Sequence, residues 1–345
     1  MNTKRLVQLW IRAIALIWFL LFFGEPRVWA CSCIEHEICD PHFYADVDFI
    51  GEVLSKAPVP PGGGISWWHQ SVRIRVVESF RGIQKPGDIV DVRTGMGGGD
   101  CGFHFEVGKQ YLIDAWDHDG VLNTGICSRT ASLDRGHADL RILRRIASHQ
   151  PLPQFAGELL RMSEPEGGTT SPLGGVAVTL RPETGGASST VIADTGGYFE
   201  FDRVPQGRYR LSLNLPTTLS VAFSNLGKVI NESIPPVAIN ASGQTVCRME
   251  IMAGPSASIS GSVHFPDGKK AEGWVKADTV TSNDRPWNTV LTSVLEPSGS
   301  FQLAHLKPGR YLVQFTRKQG FVQGEAQIIQ LREGERKTGI VLIAK

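Results

Sequence analysis

The sequence has no surplus of either charge. Lys and Arg number 35 and Asp and Glu 34, for a formal net charge of +1. Nucleic-acid binders show a strong basic excess, so that class is excluded. Long apolar runs are lacking too. The run from Ala13 to Phe23 has 11 residues, against the ~20 that a spanning helix needs. The nine histidines contain no HExxH pair, which removes one common zinc-hydrolase signature. Gly95-Met96-Gly97-Gly98-Gly99-Asp100 lacks the Lys-Ser/Thr ending of a phosphate loop and has no helix pattern after it. What is present is 38 Gly and 20 Pro in 345 residues. That is too little for a collagenous or disordered chain, and it suits a turn-rich β protein. The 41% hydrophobic content can supply real cores, and the length allows two or three domains.

Residues 1–30 read as a secretory signal. Lys4, Arg5 and Arg12 precede the apolar run, and Val28-Trp29-Ala30 ends it in the manner of a peptidase site. Cleavage after Ala30 removes Lys4, Arg5, Arg12, Arg27 and Glu25, and so leaves 31 basic and 33 acidic residues. No transmembrane segment is then expected. All six cysteines (Cys31, Cys33, Cys39, Cys101, Cys127 and Cys247) follow the cut. An even count in an exported chain reads as disulfides, and the expected location is secreted or extracytoplasmic. The alternative is a lipid anchor on Cys31, although Trp29 is bulky for a lipobox.

Beyond the leader, Val47–Val53 and Ser71–Val77 alternate apolar and polar residues as half-buried strands do. Turn signals at Pro86-Gly87-Asp88 and Asp119-Gly120 separate further short strands. One helix is predicted over Asp139–Ser148, with Leu140, Leu143, Ile146 and Ala147 on one face. Arg141, Arg144 and Arg145 lie opposite and read as its solvated side. Gln150-Pro151-Leu152-Pro153 is a linker. The rest of the chain repeats itself. Phe199 and Tyr209 are ten residues apart, as are Phe301 and Tyr311, and the period from Phe199 to Phe301 is 102 residues. Each unit opens on a Gly-led strand, at Gly157 and Gly261. Such a period fits two tandem sandwich domains. The expected fold is all-β: an OB-type β-barrel over 31–150 with a C-terminal helix, then Ig-like or prealbumin-like β-sandwiches over 151–253 and 254–345.

Gly175-Val176-Ala177-Val178-Thr179-Leu180, Asp194-Thr195-Gly196-Gly197-Tyr198-Phe199 and Gly207-Arg208-Tyr209 resemble the carboxypeptidase regulatory-like domain, within the prealbumin-like and carbohydrate-binding-like group. The second repeat departs from the pattern, with Pro297-Ser298-Gly299-Ser300-Phe301 in place of the Asp-led turn. The resemblance implies a fold and export, but no chemistry.

Cys31-Ser32-Cys33, Phe49-Ile50-Gly51-Glu52-Val53, Phe80-Arg81-Gly82, Cys101-Gly102 and Ile126-Cys127-Ser128 resemble a tissue-inhibitor-of-metalloproteinases or netrin-like module. The resemblance implies disulfides Cys31–Cys101 and Cys33–Cys127. It leaves Cys39 either paired with Cys247 or, like it, a free thiol. It also implies a mechanism. The α-amino and carbonyl groups of Cys31 would chelate the zinc of an extracellular metalloproteinase, and Ser32 would enter the first primed pocket.

Other constellations read as structure. Cys101 and His104 are three apart on an extended segment and face opposite ways. Asp117-His118-Asp119-Gly120 reads as a hairpin turn rather than a calcium site. Trp67-Trp68 is a candidate contact patch, and Asn231 and Asn240 head glycan sequons that matter only in a eukaryotic source. Trp274 and Trp287 are candidates for a sugar platform. The expectation is therefore a secreted non-catalytic modular protein with no cofactor and no metal of its own, one that binds metalloproteinases through Cys31. The alternative is a surface interaction protein whose sandwiches bind carbohydrate or protein.

Overall fold

The computed structural model describes residues 31, 33, 45–59, 70–82, 84–97, 100–133, 135–163, 169–229, 233–239, 246–265, 272–281, 283, 285–317 and 326–344. The leader, Ser32, Cys39, Trp67-Trp68, Asn231 and Asn240 lie outside the described residues. The chain is nearly all β. Residues 45–132, with Cys31 and Cys33, belong to one compact unit and residues 133–345 to the other.

The first unit contains β1 (Val47–Pro58), β2 (Gln70–Arg81), β3 (Ile89–Thr94), β4 (Gln110–His118), β5 (Val121–Asn123) and β6 (Ala131–Ser132). Strand order is β1-β2-β3-β5-β4, and β4 closes back on β1. The β3–β5 pair is parallel and β1 is antiparallel to both its neighbours. This is the five-stranded OB-type barrel. The sequence alternation dictates the core. On β2, Val72, Ile74 and Val76 point inward and are buried, while Arg73 and Arg75 face water. Phe105 and Tyr111 meet edge-on, with ring centres 5.1 Å apart.

In the second unit, helix α1 (His137–Ala147) precedes two sandwiches. The first comprises β7 (Phe155–Met162), β8 (Thr170–Pro172), β9 (Ala177–Pro182), β10 (Ser189–Ile192), β11 (Tyr198–Phe201), β12 (Gly207–Leu213), β13 (Leu219–Ser224), β14 (Val237–Ile239) and β15 (Val246–Pro255). Its sheets run β10-β9-β12-β14 and β11-β7-β15-β13. The second comprises β16 (Ala257–His264), β17 (Gly273–Val280), β18 (Pro286–Val294), β19 (Ser300–Leu306), β20 (Gly309–Arg317), β21 (Gln327–Leu331) and β22 (Arg336–Ile343). Its sheets run β18-β17-β20-β21 and β19-β16-β22. The four-stranded sheets match strand for strand, and β19-β16-β22 matches β11-β7-β15, while β8 and β13 have no counterpart among the described strands of the second sandwich; the sequence repeat is thus also a topological one.

Residues at matching places do matching work. The Tyr209 hydroxyl donates to the Pro205 carbonyl at 2.7 Å, and that of Tyr311 to the Lys307 carbonyl at 2.8 Å. Each closes the turn that its own Gly-Arg-Tyr leaves. Gly157 and Gly261 sit where the last strand of each sandwich runs parallel to the first. A Cβ there would lie 2.3 Å from the Met249 carbonyl oxygen in one sandwich, and 1.8 Å from that of Ile340 in the other. Only glycine allows that approach. Separate cores result, one around Phe155, Leu180, Phe199 and Ile251, the other around Ile259, Phe301, Val313 and Phe315.

Candidate functional site

On the barrel, the structure joins Cys31 to Cys101 and Cys33 to Cys127. Cys247 is also disulfide-bonded, which removes the free-thiol alternative for it, while Cys39, its partner in the other alternative, lies outside the described residues. Two loops receive the amino-terminal cysteines. The Asp100 carboxylate accepts from the backbone N–H groups of Met96, Gly97 and Gly102, which fixes the loop bearing Cys101. Burial alone would raise the Asp100 pKa, but these donors outweigh it and hold the carboxyl below its usual range. The loop bearing Cys127 is pinned by hydroxyls. Thr124 and Thr130 both donate to the Asp114 carbonyl, at 2.9 and 3.0 Å, and Ser128 donates to the Gly125 carbonyl at 2.9 Å. The Ile126 N–H reaches the Cys101 carbonyl at 2.9 Å, tying one loop to the other. The disulfides close 70 and 94 residues of chain, and in the chain-entropy picture each contributes about 4 kcal/mol.

On the first sandwich, Arg141 and Arg145, two of the three arginines read as a solvated helix face, are ion-paired, while Arg144 is exposed as expected. Arg141 and His137 meet the Asp194 carboxylate at 3.0 and 3.1 Å. Arg145 meets Glu200 at 2.6 Å and Asp202 at 3.1 Å, and Arg141 also lies over the Tyr198 ring. Burial works to raise the Asp194 pKa. The bond to His137 and the N–H groups of Tyr198 and Gly196 overcome it, so the carboxyl stays below its usual range. Burial, then the hydrogen bond to Glu200, pushes the Tyr198 phenol well up. This cluster anchors α1 to the sandwich.

An open groove lies on the same sandwich, and its cause is local. Strand β14 pairs with β12 over Gly207–Tyr209 only. Continuing that register would set Pro236 opposite Arg210 and Pro235 opposite Leu211. Proline has no N–H to give, so the ladder stops, and Pro235 packs against Gly227 instead. Along Arg210–Leu213 the ladder to β9 continues on one side, while on the other the chain runs past as Ser233-Ile234-Pro235-Pro236, with Ser233 in a β-bridge. The gap has an apolar floor of Leu211, Leu219, Val221 and Ile234 and a rim that includes Arg181, Arg210, Ser212 and Ser220. Arg210 stands directly opposite Arg181 across the β9–β12 pair. Glu183 is shared by Arg210, at 3.1 Å, and Arg208, at 3.0 Å, so the rim is positive.

The remaining candidates separate. Trp274 pairs with Val294 at the open end of the β17–β18 hairpin, whereas Trp287 lies beside its turn. Roughly 20 Å of strand separates them, so they form no shared sugar platform; Trp287 is 80% exposed and Trp274 half-buried. Cys101 is oxidised, which takes it out of any pairing with His104. The Asp119-Gly120 turn has positive φ at both positions and joins β4 to β5, with the Asp117 carboxylate accepting from Gly120 N–H at 2.7 Å. No group of three metal-ligating side chains occurs among the described residues, and none of their helices is long and apolar enough to cross a membrane.

No family model matches the chain. Among curated proteins it is similar to serine-aspartate repeat-containing protein F of Staphylococcus epidermidis, 23% identical over 163 residues covering 45% of this chain and 10% of that protein. It is also similar to serine-aspartate repeat-containing protein D of Staphylococcus aureus strain Newman, 25% identical over 158 residues covering 43% and 12%. The chain spans about a tenth of the length of the curated relatives it matches. Among solved structures, a streptococcal ancillary pilin aligns at TM-score 0.22 with 10% identity, covering 89% of this chain and 95% of that one. The TIE protein of Bacillus anthracis aligns at 0.24 with 11% identity, covering 89% and 49%. Scores this low carry no argument. None of these four bears a tissue-inhibitor or netrin name.

Proposed function

We propose that the protein is an extracytoplasmic, non-catalytic binding protein that holds a surface partner through its first sandwich. The observation that carries this reading is the groove beside Arg210–Leu213, with its apolar floor and arginine rim. The oxidised state of every described cysteine supports an oxidising compartment, and the similarity to serine-aspartate repeat proteins supports a surface role. The test is surface plasmon resonance of the whole mature chain over immobilised extracellular proteins and polysaccharides. Ser212→Trp puts a large ring in the groove without touching the core. Binding that disappears with this variant supports the reading, and binding that persists removes it.

A second reading is favoured by the braced amino terminus. With Cys31 and Cys33 each tied to a fixed loop, a free α-amino group on Cys31 would be held rigid. That lowers the entropy lost when it chelates a metalloproteinase zinc. An α-amino group ordinarily titrates at about 7.7–8.0, so its neutral ligand form is accessible near neutral pH. One alanine added before Cys31 should abolish inhibition in a zinc-protease panel, and unchanged inhibition would refute chelation.

A further inference from the structure

We infer that the outer face of the β10-β9-β12-β14 sheet binds the carboxylate of an acidic polysaccharide between Arg181 and Arg210. This rests on the groove reading above and names the class of its partner. The four strands carry three arginines, Arg181, Arg208 and Arg210, and no acid. On β9 and β12 the residues alternate. Leu180 and Leu211 turn to the core, while Thr179, Arg181, Arg210 and Ser212 stand on the outer face. Arg181 lies directly opposite Arg210, and like charges so placed repel. Glu183, just past β9, is taken by Arg208 and Arg210. The Arg181 guanidinium has no ion-pair or hydrogen-bond partner among the described residues. Residues directly opposed in an antiparallel pair have Cβ atoms about 5 Å apart, so both guanidinium groups reach one oxyanion and each gives it a charge-assisted bond. The second sandwich shows the closed version of this face. Asp278 and Leu312 hold the corresponding positions, and the Asp278 carboxylate accepts from Thr289 and, at 2.8 Å, from Gln314. That charge is met within the sheet, and the charge of the arginine pair is not.

The neighbours of the pair define the rest of the ligand. The next row on the same face is made of hydroxyls. The registers set Thr190, Thr179 and Ser212 side by side, and Thr179 and Thr190 bond to each other at 2.9 Å. Two residues of strand, about 7 Å, separate the rows. A sugar ring can therefore lie over the hydroxyls with its carboxylate between the arginines. Hydroxyl side chains both donate and accept, as the hydroxyls of a sugar do. Ser212 and Asn214 border the groove together with both arginines, so the face leads into it. A peptide finds less to hold. The main chain of Val178–Leu180 is in ladders on both sides, to β10 and to β12, and has no N–H or C=O to offer a third strand.

The test is calorimetric titration of the mature full-length chain with trigalacturonate. Binding is expected, and it should weaken as salt is raised. The fully methyl-esterified trisaccharide keeps the ring hydroxyls without the charges, and Glu-Glu-Glu keeps the carboxylates without the hydroxyls. Each should bind at least about tenfold more weakly, the scale of one lost charge-assisted bond. Arg181→Ala and Arg210→Ala should each weaken trigalacturonate by a similar factor while the unfolding midpoint stays near wild type. Arg73→Ala, on the barrel, should change nothing. Thr179→Val should weaken the sugar and leave Glu-Glu-Glu as it was. An ester or a Glu-Glu-Glu that binds as tightly as the acidic sugar overturns the occupant. Unchanged affinity in Arg181→Ala, or no binding of trigalacturonate, overturns the site. The groove reading is decided separately. A surface partner that Ser212→Trp releases and Arg181→Ala does not would leave that reading standing without this one.

Discussion

The two sandwiches share the order of their common strands and one pair of turn-closing tyrosines, yet they differ at the edge strands, and β8 and β13 of the first have no counterpart among the described strands of the second. β21 covers β20 as far as Val313, whereas β14 leaves β12 after Tyr209. The charged residues diverge with it. The Arg181–Arg210 pair on the first sandwich is replaced at the corresponding register by Asp278 and Leu312. Asp278 is buried and accepts from Gln314 at 2.8 Å. The second difference is at the other edge, where β10 has four residues and β18 nine. The framework residues Phe199 and Phe301, Tyr209 and Tyr311, and Gly157 and Gly261 are held, while the flanking strands and the residues at the Arg181 and Arg210 positions diverge.

The largest effects should show that the frameworks are equivalent. Phe199 and Phe301 are 1% and 4% exposed at corresponding positions. Replacement of either by alanine should cost about 3–5 kcal/mol in denaturant unfolding. A cost at Phe301 of less than half that at Phe199 would break the equivalence. A smaller effect belongs to Asp194, whose place in the second repeat is held by Glu296 with the same backbone turn hydrogen bonds. Asp194→Asn should cost about 1–2 kcal/mol, discounted because the carboxylate is partly exposed. The pH dependence has a definite sign. The folded-state pKa lies below the ordinary value, so the stabilisation is fully present above the unfolded pKa, near 4, and is lost as pH falls through the folded value. Urea midpoints of wild type and Asp194→Asn should therefore converge below pH 4 and separate above it; a constant gap would assign the loss to geometry instead. Next come Tyr209→Phe and Tyr311→Phe, each expected to cost about 1 kcal/mol for one hydrogen bond. Equal values by calorimetry would sharpen the match between the two turns.

Much of this framework was legible in the chain. Alternation marked β1 and β2, the Phe-to-Tyr spacing marked both sandwiches, and the resemblance of Cys31-Ser32-Cys33 and its companions pointed to the two disulfides now seen. The partners of the basic helix face were not legible. Arg141 meets Asp194 across 53 residues and Arg145 meets Glu200 across 55. No local rule links positions that far apart, so periodicity alone assigned that face to water. The groove was also missed, although its signal was there. Ile234-Pro235-Pro236-Val237 marks a strand that must start late. Which neighbour is uncovered depends on sheet order, and that order is set by long-range packing.

Arg181→Ala should have the smallest effect on stability and is the sharpest probe of why the rims differ. Removing one of two opposed guanidinium groups relieves repulsion but gives up packing of the arginine stem. These nearly cancel, so the unfolding free energy should change by less than about 0.5 kcal/mol. If the rim were a purely structural feature, its arginines would be held by a gain in stability, and the variant would lose more than that. A near-zero change together with weaker binding of the surface partner would instead mean that the pair is kept at no benefit to folding. Asp278 gives the opposite expectation. Its carboxylate is buried, so Asp278→Ala should destabilise clearly by leaving Gln314 without its acceptor. The same register position would then serve packing in one sandwich and recognition in the other.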